Sequence, residues 1–219
     1  MDKVIISLVG AKRSGKTTAG LIIEEMIQNP TYVTAIADKL KVELSVAYDI
    51  DLIHFNSQDL KEERFIYPIR TKVDTISHLL ESFKLGTKDI KVSSSLLLEL
   101  ATKEMFTPRE LMQEMGSFIR EVFGKKIHLH HLNLENEITI ISDVRYKAEF
   151  DYLESLEKKG YYHIPLYIHN AKSENSGDNH SSEKDISKFK KKCIFIDNNA
   201  KDIDDLADQL EDVLVEYLG

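Results

Sequence analysis

Val4-Ile5-Ile6-Ser7-Leu8-Val9-Gly10-Ala11-Lys12-Arg13-Ser14-Gly15-Lys16-Thr17 runs from an apolar, β-branched stretch into a glycine-bounded turn, and Ala19, Ile22, Ile23, Met26 and Ile27 follow at helical spacing within 16–28. This reads as strand, loop and helix. Gly10 to Thr17 fits G-x-x-x-x-G-K-[ST] in the context that pattern needs. Glycines let such a loop wrap closely, so that backbone N–H groups face a β-phosphate. Lys16 would bridge β- and γ-oxygens, and the Thr17 hydroxyl would ligate Mg²⁺. The candidate nucleotide-phosphate set is therefore Gly10, Lys12, Arg13, Ser14, Gly15, Lys16, Thr17 and Thr18.

The same alternation continues outward from this segment. An extended stretch over 32–37 leads into Asp38, a candidate N-cap for a helix reaching about Tyr48. Residues 49–106 are irregular and polar, and read as an inserted, mostly helical region. Thr107-Pro108-Arg109-Glu110 has capping-box spacing, with Thr at N-cap, Pro at N1 and Glu at N3, ahead of Leu111, Met112, Met115 and Ile119. Strands are expected at 137–142, 161–168 and 193–197, with helices at 147–159, closed by Gly160, and at 201–218. The stretch 169–183 is rich in Asn, Ser and Asp and lacks a hydrophobic period, so it reads as a loop. Five strands separated by helices imply one α/β domain over 1–219 with a doubly wound, five-stranded parallel sheet.

Composition narrows the functions open to such a domain. Of 219 residues, 29 are Lys or Arg and 37 are Asp or Glu, and the net charge of −8 repels a polyanion, so no polymeric nucleic acid is expected as partner. A single cysteine, Cys193, rules out an intrachain disulfide and suits a reducing compartment, with the cytoplasm as default. Cys193 itself reads as a buried small hydrophobe. No run of 18 apolar residues occurs and the opening strand is too short for a signal segment, so no membrane association is expected.

A loop of this type serves many chemistries, and the second substrate must be sought elsewhere. Arginine is scarce, at Arg13, Arg64, Arg70, Arg109, Arg120 and Arg145 against 23 lysines, and its planar fork clamps phosphate bidentately. Arg109 lies in a first helical turn, where a cation opposes the macrodipole, and Arg120 follows three turns later, about 16 Å along the axis. Both also fit solvated or salt-bridged surface positions. Asp143 ends an apolar strand, a position for a carboxylate near Mg²⁺ or its waters, with a helix N-cap as the bland alternative. Arg145 follows at the carboxyl edge of the sheet, where open α/β folds bind ligands. His128-Leu129-His130-His131 lacks the companion ligands of a metal site and reads as a surface turn, and Lys188–Lys192 reads as a solvated face.

With these residues in place, the chain resembles the bacteriophage-type deoxynucleoside monophosphate kinases of the P-loop kinase superfamily. The likeness runs through GAKRSGKTT at 10–18, ADKLK at 37–41, KE at 61–62, TPRELMQEMG at 107–116, ISDVRYKAEF at 141–150, HSSE at 180–183 and DNN at 197–199. The resemblance implies transfer of the ATP γ-phosphoryl group to the 5′-phosphate of a deoxynucleotide, in the host cytoplasm if the gene is a phage's. Lys16, Arg109, Asp143 and Arg145 would be catalytic, and Thr17 with Asp143 would position Mg²⁺. Asp38, Lys39, Arg109, Gln113, Arg120 and Arg145 would face the acceptor nucleotide, and Asn198 the adenine edge. Region 49–106 would shape the acceptor pocket. The 169–183 loop, with His180 and Glu183, would act as a lid; no arginine follows position 145, so in place of a lid arginine either a lysine such as Lys172 or Lys184 would serve or Arg13 and Arg145 would suffice.

Other readings are consistent with the residues. The arginine clamp reads phosphate rather than base, so dephospho-coenzyme A or phosphomevalonate are alternative acceptors. A nucleotide-dependent switch is a further class, but the guanine-reading N-K-x-D and the D-x-x-G signature are absent. Intact Gly15, Lys16, Thr17 and Asp143 speak against a non-catalytic binder. Oligomeric state stays open, a homodimer included.

Overall fold

The computed structural model describes residues 3–27, 30–84, 92–174, 185–199 and 202–219. The chain forms two compact units, Met1–Ile36 with Leu132–Gly219, and Ala37–His131. Elements are numbered in chain order. The first unit holds β1 (Lys3–Val9), α1 (Lys16–Met26), β2 (Thr31–Thr34), β3 (Ile138–Val144), α7 (Lys147–Ser155), β4 (Tyr161–His169), α8 (Ala171–Glu174), β5 (Ile194–Asp197) and α9 (Ile203–Leu218). The second holds α2 (Asp38–Tyr48), α3 (Ile53–Asn56), α4 (Val73–Phe83), α5 (Ser94–Thr102) and α6 (Pro108–Phe123).

Among the described residues the first unit has a five-stranded sheet in the order β2-β3-β1-β4-β5, every pair parallel. This is the doubly wound, five-stranded parallel α/β sheet expected from the sequence. Parallel strands need crossovers, and helices bury both faces, which is why β1 and β3 read as unbroken apolar runs. On one face Ile6, Leu8, Ile140, Ile164 and Leu166 pack with Ala19 and Ile23 of α1 and Leu206 and Leu210 of α9. On the other, Phe150 of α7 stacks on Phe189 at 4.7 Å and tilts against His163. His163 Nε2 is hydrogen-bonded to Ser7 Oγ at 2.7 Å. Burial pushes the His163 pKa down to about 4, so the pair is neutral at physiological pH.

The second unit is helical around an apolar cluster that includes Leu40, Leu44, Phe55, Leu79, Phe83, Leu111 and Met115. It is wider than region 49–106 because α2 and α6 contribute to that same cluster. α6 starts as its sequence predicts, with Thr107 Oγ1 accepting from Glu110 N at 3.1 Å and Pro108 in the first turn. The Glu110 carboxylate turns back to Phe106 N at 2.6 Å, one residue before the cap.

Two expectations are corrected in this unit. Ala37, not Asp38, is the N-cap of α2; Asp38 belongs to the first turn, where its carboxylate pairs with Lys41 at 2.7 Å. His128 is not on a surface turn. It lies in a 3₁₀ segment, Ile127–His131, at 4% exposure, because Ile127 and Leu129 bury on either side and Phe83 meets its ring edge-on at 5.3 Å. In the first unit the 169–183 stretch opens with α8 rather than loop, since Asn170 Oδ1 accepts Ser173 N at 3.1 Å. His180, Glu183 and Lys184 lie outside the described residues. No helix among the described residues is long and apolar enough to cross a membrane.

Candidate phosphate-transfer site

The loop from Gly10 to Thr17 leaves the carboxyl end of central strand β1 and enters α1. Gly10 and Gly15 have φ of 153° and 98°, and a Cβ on Gly10 would sit 2.5 Å from Ile168 O and 2.6 Å from Ser14 Oγ. Neither position has room for a side chain. Arg13 is also left-handed, at φ 65°. Lys16 folds back inside the loop, its Nζ donating to Gly10 O at 2.8 Å and Ala11 O at 2.5 Å, with only 7% of the residue exposed. An ammonium held by carbonyl oxygens is of a kind that can exchange them for the oxygens of an anion. Ser14 is fully buried, Lys12 is half-buried, and Thr17 and Thr18 are exposed at the start of α1.

A set of asparagines braces this loop. Asn198, just after β5, donates its Nδ2 to Ser14 O at 2.8 Å and its backbone N to His169 O at 2.8 Å. Asn170 Nδ2 donates to Asn198 O at 2.6 Å, and Ser173 Oγ to Arg13 O at 2.9 Å. Asn198, expected beside an adenine edge, thus has its amide nitrogen on the loop itself. The DNN motif at 197–199 marked the position; the partner came only with the fold.

Asp143 lies on β3, next to β1 in the sheet. Ser7 pairs with Ile141 but Val9 with Val144, so β3 carries one extra residue at Ser142-Asp143. Such a bulge bends a strand end and re-aims its side chains. Asp143 Oδ1 accepts Ile36 N at 2.5 Å and Ser142 Oγ donates to Thr34 O at 3.2 Å, fastening the exit of β2. Asp143 is therefore no helix N-cap. With Thr17 it supplies hard oxygen donors, the donor chemistry Mg²⁺ takes alongside phosphates and water.

Arg145 follows one residue beyond β3. Its backbone N donates to Glu149 Oε2 at 2.9 Å, and Tyr146 N donates to the same oxygen at 3.0 Å. Glu149 is only 4% exposed, and by closing the N-terminus of α7 it fixes the turn that carries Arg145. Glutamate at the third position of a helix was a readable signal for this role.

In the second unit, Arg109 donates from Nε to Glu62 Oε1 at 2.6 Å, with 17% of its side chain exposed. Gln113, one turn on, is exposed. Arg120 lies back along α6 over Gly116, with Nη2 3.5 Å from Ser117 Oγ. Its positive charge adds to burial in lowering the His128 pKa to about 4. Lys39 pairs with Glu43 at 3.0 Å and sits 5.2 Å from the Phe83 ring centroid. Segments 65–69 and 105–106 are joined by Phe65 N to Phe106 O and Ile69 N to Met105 O, both 2.8 Å. Arg64, over the Phe106 ring at 4.7 Å, and Arg70, paired with Glu104, therefore flank the same strip that leads into Arg109.

The structure thus gathers the phosphate-loop residues with Asp143, Arg145 and Asn198 in the first unit, and places Asp38, Lys39, Arg109, Gln113 and Arg120 in the second. No family model matches the chain, and no curated protein matches it. Among solved structures, TT1252 from Thermus thermophilus is similar at 16% identity over 100% of both chains with a TM-score of 0.38. A thymidylate kinase from Ehrlichia chaffeensis is similar at 16% identity over 100% of both chains with a TM-score of 0.36.

Proposed function

We propose that this protein is a nucleoside monophosphate kinase that moves the γ-phosphoryl group of ATP to the 5′-phosphate of a deoxynucleoside monophosphate. One observation carries the reading: a phosphate loop closed around the buried Lys16 ammonium, at the same sheet edge as Asp143 and Arg145. The resemblance of the sequence blocks to those of phage-type deoxynucleotide kinases suggests the acceptor class.

In-line transfer between two phosphates asks little covalent chemistry of the protein. Alignment and positive charge around the migrating group account for most of the acceleration. The phosphate-loop amides and Lys16 bind the donor. Thr17 and Asp143 would hold Mg²⁺, which when bound screens the phosphate oxygens. Arg145, fixed from behind by Glu149, faces the charge that builds up on transfer. Arg109, oriented through Nε by Glu62, presents its remaining N–H groups to an acceptor phosphate, with Gln113, Arg120, Asp38 and Lys39 as further acceptor-side groups. No general base is needed, because the attacking phosphate oxygen is already ionised.

The test is ADP release from ATP and Mg²⁺ with each of the four deoxynucleoside monophosphates, against a blank without acceptor. Release that depends on at least one acceptor supports the proposal and reads out base preference. Acceptor-independent release would replace it with an ATPase or switch. No release would move the search to other phosphorylated acceptors, dephospho-coenzyme A and phosphomevalonate among them.

A further inference from the structure

The first unit carries a second concave site at the amino edge of its sheet, where β1, β3 and β4 begin, opposite the edge that holds the phosphate loop. Its volume is about 730 Å³, within the range of small-molecule sites. Val4, Ile27 and Leu214 form an apolar floor continuous with the core between sheet, α1 and α9. Tyr162 and Tyr217 stand in its wall, and Val215, at 66% exposure, forms part of the rim.

The charged side chains that line this groove, among the described residues, have one sign. Among the described residues its ionisable side chains besides tyrosine are Glu137, Glu157 and Glu211, and no described lysine, arginine or histidine contributes to the lining. Lys3, at the same edge, donates its Nζ to Leu134 O at 3.1 Å. Lys158 and Lys159 are exposed beside Glu157 in sequence but do not line the groove. Both α1 and α9 end here without a basic residue in the last turn, so two helix carboxyl ends add partial negative charge. α9 also bears Asp204, Asp205, Asp208, Glu211, Asp212 and Glu216 with no lysine or arginine. The Tyr217 phenol pKa is pushed up, first by the Glu216 carboxylate, then by burial and by Tyr162, as a negative neighbourhood requires.

We infer that this groove binds a small organic cation, an amine or ammonium group on an apolar body. The body would lie on the Ile27 and Leu214 floor. The cationic head would meet Glu211, Glu157 and the faces of Tyr162 and Tyr217, the combination of ring quadrupole and carboxylate that suits ammonium groups. An anionic or nucleotide ligand is disfavoured by the same charges, so the inference is independent of the kinase reading.

The probes are 2-phenylethylamine, its uncharged counterpart 2-phenylethanol, and spermidine, titrated into the ¹⁵N-labelled 219-residue chain. The expected result is saturable shifts of the Gly160, Val215 and Leu218 amides with the amine, and binding at least about tenfold weaker with the alcohol. Glu211→Gln and Tyr217→Leu should each weaken the amine at least about fivefold, while Lys16→Ala leaves it unchanged. Glu211→Gln keeps side-chain size at an exposed position, Tyr217→Leu shortens a half-buried side chain, and unchanged spectra elsewhere would verify folding. Equal binding of amine and alcohol would overturn the inference in favour of a merely apolar groove. Spermidine binding as tightly as the amine, with Tyr217→Leu without effect, would overturn it in favour of diffuse attraction to α9. Absence of any saturable shift at the groove would also overturn it.

Discussion

Asn198 donates its side-chain amide to the Ser14 carbonyl across 184 residues of sequence, at 2.8 Å, and so ties the phosphate loop to the end of β5. A Cβ on Gly15 would collide with that same amide, so the left-handed glycine and the asparagine are fitted to one another. A net contribution of about 1 kcal/mol for such a bond corresponds to roughly a fivefold change in an equilibrium. Asn198→Ala is therefore expected to raise the ATP dissociation constant about fivefold, measured by calorimetry, without altering acceptor affinity. Gly15→Ala should do more damage, and adding Asn198→Ala should not restore it, because the φ of 98° remains.

Lys16→Ala removes the buried ammonium from the loop. Turnover in the ADP-release assay should fall at least about 100-fold, the scale on which a preorganised charge stabilises phosphoryl transfer. Activity within tenfold of the parent would take Lys16 out of the reaction.

Arg109→Ala should raise the acceptor KM about tenfold or more and leave the ATP KM nearly unchanged. Glu62→Gln should act in the same direction but more weakly, since it loosens the guanidinium without removing it. Arg109→Lys should not restore the parent value, because an ammonium lacks the planar fork. An unchanged acceptor KM in Arg109→Ala would remove this residue from the site.

Glu149→Gln keeps one oxygen able to accept both N–H groups at the start of α7, which share Oε2, but loses the charge that strengthens those bonds. A kcat about tenfold lower at constant ATP KM is expected if Glu149 works by holding Arg145. The double-mutant cycle with Arg145→Ala decides the matter. In the Arg145→Ala background the Glu149→Gln effect on kcat should vanish, whereas a general loss of stability would persist.

Acid should destabilise the fold in a defined window. His128 and His163 have pKa values lowered from 6.5 to about 4, chiefly by burial. Below 6.5 the unfolded chain takes up protons that the folded chain refuses, so stability is lost as pH falls from about 6.5 to about 4, by up to roughly 3 kcal/mol per histidine. Urea midpoints at pH 7.5, 6, 5 and 4 would show the slope, and His163→Gln should flatten it. A midpoint independent of pH over this range would contradict the burial of both rings.

Strand β1, the glycine turn and α1 were legible because their determinants are local: β-branched residues, glycines that permit left-handed backbone, and an apolar period of a helix. The start of α6 was equally plain, since Thr107, Pro108 and Glu110 act within one turn. The His128 segment misled because its short polar pattern matched that of an exposed turn, while Phe83, from another helix, provides the contact that buries it.

The candidate site divides along the same line. Lys16, Thr17, Asp143 and Arg145 could be named from sequence because a phosphate loop and a strand end are encoded by neighbouring residues. Their supports could not: Asn198 on Ser14, Ile36 on Asp143 and Glu62 on Arg109 join residues far apart in the chain. Local propensities and hydrophobic periods reach only a few residues along the backbone. A hydrogen bond between such distant residues exists only after packing has brought its partners within 3 Å, so within each unit tertiary structure alone decided which groups hold the Gly10–Thr17 loop, Asp143 and Arg109 in place.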